Sequence, residues 1–364
     1  MLRSKWLASF RQRQECPNSS AEDVPAIDTQ SIRAGGDPIR TFMEIGDSGA
    51  THRCPQADLV VAHFEKAERS RLPLVREHSQ PVALVYDHVF RGESWESGPS
   101  NGAFTADQLC SRLRAPRPRY SRAGATARGK STPQVGTPPQ LEQRMQPKGY
   151  TEGPEPNTER RIVFITDLDK RTASAVASAA PANQVTPLQN ALYRHCAAGQ
   201  NYIGMAIPPL FLPIFELAFH LPLQSWQLTR GSDIPRGSRD VAFLDLQNGE
   251  RAHVCTAKFS CVVTGIDEWR WIAYCFIDTL YDPTDDRESV EDYVHDGEGM
   301  SPFRMAMDPC THGRHPLEPP VRDPRKWFLM VLEARLLSSN KEWLHLIHKI
   351  EESIESFEEV SQVP

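Results

Sequence analysis

Hydrophobic and polar positions are ordered in the second half of the chain and irregular in the first. Arg161–Thr166 (RIVFIT) is a short apolar run ending in Asp167-Leu168-Asp169, which predicts a buried strand feeding a helix cap. The Ala-rich stretch Arg171–Ala180 predicts a helix, and Val185–Cys196 a second, with Leu188, Leu192 and His195 at helical spacing. Val241–Leu246 and Ala252–Val263 read as strands joined around Asn248-Gly249, a dipeptide suited to a tight hairpin. Trp269–Ile277 predicts a third strand. Its residues Trp269, Trp271, Ala273, Cys275 and Ile277 alternate with Ile272, Tyr274 and Phe276. Both faces are apolar, so this strand belongs at the centre of a sheet covered on both sides.

The last element is the longest. Asp323-Pro324 opens a helix expected to run to about Val360, in which Leu329, Leu336, Trp343, Ile350 and Phe357 recur every seven residues. Leu332, Leu346, Ile347 and Ile354 fill the same face. This repeat predicts an amphipathic helix able to enter a coiled coil and so to make a homo-oligomer. Ser339 and Asn340 interrupt the seam, which leaves packing against its own domain as an equal alternative.

The first half gives isolated elements. Residues 1–57 lack sustained periodicity and are expected to have little order. Between Asp58 and Arg71, Leu59, Val60, Phe64 and Ala67 form a short helical face, and Pro81–Phe90 reads as a strand, so residues 58–110 could make a small subdomain. Ser111–Leu141 contains Arg112, Arg114, Arg117, Arg119, Arg122, Arg128 and Lys130, five prolines and no acid. Residues 111–157 therefore read as a disordered basic linker. Contact of 112–130 with nucleic acid or anionic lipid is the functional alternative, but Tyr120 is the only stacking aromatic there.

Composition sharpens this division. Residues 1–150 carry 21 basic and 16 acidic side chains, a net +5, and the remainder 20 and 31, a net −11. Ten aromatic residues lie in the first 160 positions and twenty in the last 204, where a core must then form. Eight scattered cysteines without a CxxC pair suggest a reducing, cytoplasmic setting rather than a disulfide scaffold. Met1–Gln14 is basic with Leu2, Trp6, Leu7 and Phe10 at helical spacing, the pattern of a transit peptide and equally of a frayed basic helix, which is the expectation. Tyr202–Leu223 is long enough to cross a bilayer, yet Pro208, Pro209, Pro213, Pro222, Glu216 and His220 interrupt it. It is expected to be a buried, kinked connection, so no transmembrane segment is predicted.

Candidate chemistry is sparse. Asp278, Asp282, Asp285, Asp286 and Glu288 open an acidic stretch running to Glu298 with Arg287 as its one cation. Clustered carboxylates suit Mg²⁺ or Ca²⁺, although the spacing is not that of an EF-hand loop, and a solvated acidic loop is the plainer alternative. Cys310, His312 and His315 are soft ligands without the second pair a zinc site needs, and His253 with Cys255 reads as packing on a strand. GxSxG, HExxH, Walker and GxGxxG motifs are all missing, so no catalytic residue is assigned and no enzyme is predicted.

Four stretches carry a family resemblance: residues 160–180, 207–223 (IPPLFLPIFELAFHLPL), 261–282 (CVVTGIDEWRWIAYCFIDTLYD) and 323–336 (DPRKWFLMVLEARL). Over about residues 158–360 the chain resembles a filamentous-fungal protein family whose members are described as having a CorA-like transporter domain. The resemblance implies a cytosolic α/β domain followed by a stalk helix, for which the heptad helix would stand. It also implies two C-terminal membrane spans with a Gly-Met-Asn filter. This sequence stops at Pro364 without them, and its two Gly-Met pairs continue into Ala206 and Ser301. The expectation is a domain retained without its pore or a truncated reading frame, membrane-associated in the second case. The fold expected is α/β, with α+β as the alternative: a mixed sheet with flanking helices over 158–364. The function expected is a non-catalytic binding or regulatory module that responds to magnesium through the acidic stretch. A fragment of a full transporter and a metal-dependent enzyme using the same carboxylates are the alternatives.

Overall fold

Strand pairing organises the molecule around two parallel neighbours, β4 (Glu159–Thr166) and β9 (Arg270–Ile277), which run side by side from Glu159 opposite Arg270 to Thr166 opposite Ile277. The structure is a computed structural model and describes residues 10, 25–27, 36–46, 54–69, 79–91, 94–97, 101–115, 159–197, 199–206, 214–229, 238–241, 251–279, 290, 292–293 and 307–361. Antiparallel strands extend the pair on both sides. On one side lies β1 (Ala83–Arg91), whose far edge takes β2 (Ser94–Ser97) and β3 (Gly102–Phe104). On the other, β9 pairs with β8 (Arg251–Gly265), then β6 (Phe215–Thr229) and β5 (Tyr202–Ala206), while β7 (Ser238–Asp240) joins β8 near its start. The sheet is mixed and the fold is α/β, as the periodicity predicts.

Both faces of this sheet are covered. One carries α1 (Pro38–Met43), α2 (Pro55–Arg69), α3 (Ala106–Arg114), α4 (Lys170–Ala179) and α5 (Val185–Cys196). Their apolar residues share a core with Ile272, Tyr274 and Phe276 of β9 and Val163 and Ile165 of β4. The other face packs on the first half of α6 (Pro324–Ser361) through Trp327, Phe328 and Val331, which meet Trp271, Ala273 and Cys275. The alternation along β9 thus divides its side chains between two cores, as its doubly apolar pattern requires.

Local chemistry sets the element ends. Asp169 caps α4 by accepting from the Thr172 N–H at 2.7 Å, and Thr105 with Gln108 forms a capping box on α3. Asp267 accepts the N–H groups of Trp269 and Arg270, both at 2.8 Å, and closes the β8–β9 turn. Gly265 is required there, because a Cβ would lie 2.5 Å from the Arg270 carbonyl oxygen.

Several expectations need correction. The possible subdomain at 58–110 is not separate: β1 pairs along its length with β4, and α2 and α3 bury Val60, Phe64 and Leu109 in the common core. Within 1–57, α1 buries Ile39, Phe42 and Met43. Phe10 is fully buried, edge-on to Phe215 at 5.6 Å. Arg112 and Arg114 lie in α3 rather than in a linker; the rest of that basic stretch, 116–157, is outside the described residues. Tyr202–Leu223 is not a kinked connection but strand β5 and the first part of β6, paired antiparallel from Tyr202 opposite His220 to Ala206 opposite Glu216, with 207–213 outside the described residues. Among the described residues no helix is long and apolar enough to cross a membrane. Of the strand expected at Val241–Leu246, Val241 lies just past the end of β7 and residues 242–246, like the Asn248-Gly249 turn, lie outside the described residues.

Candidate functional site

The sheet register brings two histidines and a serine together. Ser260 on β8 is the direct cross-strand partner of His220 on β6, and the last turn of α5 lowers His195 onto the same spot. Ser260 Oγ lies 2.7 Å from His220 Nδ1 and 3.0 Å from His195 Nδ1. On its other side, His195 Nε2 lies 3.6 Å from Asp278 Oδ1, just past the end of β9. A hydroxyl has one proton to give, so it donates to one ring and accepts from the other. The Asp278 carboxylate favours a proton on His195 Nε2, which leaves Nδ1 to accept from Ser260. Ser260 in turn accepts from His220 Nδ1–H. Partial burial pushes the Asp278 carboxyl up, but His195, Lys258 and His63 outweigh it and hold the group below its ordinary value. Lys258 Nζ donates to the carbonyls of His195 and Cys196 at 2.8 and 3.3 Å, placing a cation at the α5 C-terminus.

Hydroxyl, imidazole and carboxylate in series are the components of an activated nucleophile. In this structure the three side chains are buried. Ser260, His195 and His220 are 2, 3 and 0 % exposed. A small cavity lies elsewhere, lined by Gln184, Thr264, Gly265 and Arg270, and holds about 10 Å³, enough for one water. A shallow depression along α3 is lined by Phe104, Asp107, Gln108 and Arg112 and is broadly open to solvent.

Other charged groups lie inside. Glu216 on β6 is held by Asn190 at 3.2 Å and Arg194 at 3.3 Å, and burial raises its carboxyl despite both. Arg194 also stacks over Tyr202 at 3.6 Å. Asp308 accepts from the indole of Trp327 at 3.0 Å, and Arg335 of α6 donates to the carbonyls of Cys310 and Pro309 at 2.8 and 2.7 Å. These contacts anchor the first half of α6 to the turn at Pro309–Thr311.

Of the five carboxylates proposed from sequence, Asp278 is described and turns toward His195; Asp282, Asp285, Asp286 and Glu288 lie outside the described residues. Among the described residues no three His, Cys, Asp or Glu side chains converge as a metal ion needs. Cys310 is buried while His312 and His315 are not drawn to it as ligands; His312 instead lies 3.4 Å from Arg335. Cys255 donates to Gln227 at 3.0 Å, and His253 is fully buried with neither ring nitrogen hydrogen-bonded, consistent with packing. The His195–Ser260–His220 set carried no sequence signal, since its members are 40 and 65 residues apart.

The remaining chemically distinctive surface is on α6. Beyond Leu346, which packs against Trp226 and Ala252, the helix displays Ile347, Ile350 and Ile354 at 48, 37 and 52 % exposure. No family model, curated protein or solved structure matches this chain.

Proposed function

We propose that this chain is a non-catalytic binding module whose working surface is the second half of α6, presented by a rigid three-layer domain. One observation carries the reading. An isoleucine-rich stripe continues along α6 after the helix has stopped packing on its sheet, and exposed apolar stripes of this kind mark interaction sites. The buried polar set around Ser260 supports the non-catalytic part, because among the described residues its hydroxyl and both imidazoles are enclosed. The similarity to CorA-like cytosolic domains is in keeping with a helix that passes a signal outward from such a domain.

The test is photo-crosslinking in intact cells that express the full chain, with Trp343→p-benzoylphenylalanine against His345→p-benzoylphenylalanine on another face. Adducts from position 343 and none from 345 are expected. No adduct from 343, or equal labelling from both, overturns the reading.

A magnesium response belongs to the same proposal. Asp278 would transmit it, because a cation held by the acidic stretch competes with His195 for this carboxylate. Mg²⁺ should then raise the Tm of the wild type and leave Asp278→Asn unchanged. Equal melting with and without the ion in the wild type removes this part.

A further inference from the structure

We propose that the exposed stripe of α6 forms a parallel two-stranded coiled coil with a second copy of this chain, with Asn340 meeting its counterpart and fixing the register. The proposal rests on α6 being the working surface and names what binds there.

Two faces of α6 are distinct. Trp327, Phe328, Val331 and Arg335 point into the domain and are buried. Leu336, Asn340, Trp343, Ile347, Ile350 and Ile354 are all exposed and follow one another at intervals of four, three, four, three and four. Within it Leu336, Trp343 and Ile350, and likewise Asn340, Ile347 and Ile354, recur every seven residues, the repeat of a helix that winds around another helix. At 100° per residue, the exposed stripe is centred about a third of a turn from the buried face. A second helix can therefore lie alongside α6 without displacing the domain.

The residue types in the stripe select the partner. In heptad terms Asn340, Ile347 and Ile354 take the a positions, and Leu336, Trp343 and Ile350 the d positions. A lone asparagine at a specifies register and oligomer state, and favours a partner that offers an asparagine at the same level. A second copy in parallel offers one. In an antiparallel pair the flanking e positions face each other, which would set Glu351 and Glu358 of one helix against those of its partner. In a parallel pair Glu358 instead faces the g position Ser353, so like charges are kept apart. A different protein would have to reproduce this pattern of isoleucines, tryptophan and asparagine, which the chain itself already supplies.

The test uses the purified full chain. Light scattering after gel filtration should give twice the 41.0 kDa chain mass at high micromolar concentration. Ile347→Asp should return the mass to that of one chain while the thermal melt of the domain is unchanged, because this side chain does not pack on the sheet; Ile354→Asp is a second variant to the same end. Asn340→Cys should form a disulfide-linked dimer on mild oxidation, absent from the wild type treated alike. A single-chain mass for the wild type, a dimer indifferent to both aspartates, or a dimer in which Asn340→Cys does not cross-link overturns the proposal. If the wild type is monomeric while position 343 crosslinks to another protein in cells, the self-pairing fails and the α6 surface stands. Failure of both measurements removes the two together.

Discussion

Asp87 and Arg161 face each other across β1 and β4, joined by two hydrogen bonds of 2.7 and 2.9 Å deep inside the sheet. Arg112 of α3 reaches the same carboxylate from the helix layer, and Asn101 clamps the Asp87 backbone through bonds of 2.7 and 3.2 Å. The pair sits where the early part of the chain joins the later part, so its satisfaction ties β1 and α3 to β4. Asp87→Ala strands two guanidinium groups, one of them buried. Such a loss costs about 3–5 kcal/mol. Urea unfolding should show that drop; a loss below about 1 kcal/mol would mean that the arginines find other partners.

His88 should make stability fall in acid. Burial, reinforced by Arg160, pushes its imidazole down to about 3, and Asp87 only partly opposes this. The unfolded ring takes its proton near 6.5. Between those values the unfolded chain binds more protons than the folded one. The contribution is therefore complete above pH 6.5 and is lost as pH falls toward 3. His88→Gln should flatten the urea midpoint between pH 7 and pH 4 relative to the wild type; parallel profiles would exclude His88 as the source.

Ser260 should behave as structure. Ser260→Ala leaves two buried imidazole nitrogens without their shared hydroxyl, at a cost on the order of 2 kcal/mol. The folded wild type should also resist a serine-directed fluorophosphonate. Stoichiometric labelling at Ser260 would instead make it a nucleophile and defeat the non-catalytic reading.

Thiol reactivity should follow burial. Burial raises the thiols of Cys261, Cys275 and Cys310 and pushes Cys196 up to about 12 and Cys255 to about 11. A thiol that stays protonated does not attack. Among the described cysteines, iodoacetamide at pH 8 should modify the half-buried Cys54 and Cys110 first, and the five buried ones only after unfolding. Early modification of Cys275, at the centre of the sheet, would show that β9 opens locally.

The sequence by itself determined the elements whose side chains carry their own period. The two-faced run of β9, the caps at Asp169 and Asp323, and the seven-residue repeat of α6 are local patterns, and hydrophobic burial acts on them the same way in any surrounding. Such patterns could not reveal which strands become neighbours. β1 reads as an isolated apolar run until β4 pairs with it, and Tyr202–Leu223 resembles one continuous span until β5 and β6 fold back on each other. The polar interior was equally hidden. Asp87 with Arg161, and Ser260 with His195 and His220, are brought together from positions between 40 and 74 residues apart. A lone buried charge or imidazole is unfavourable, and only the tertiary structure decides which distant group will satisfy it.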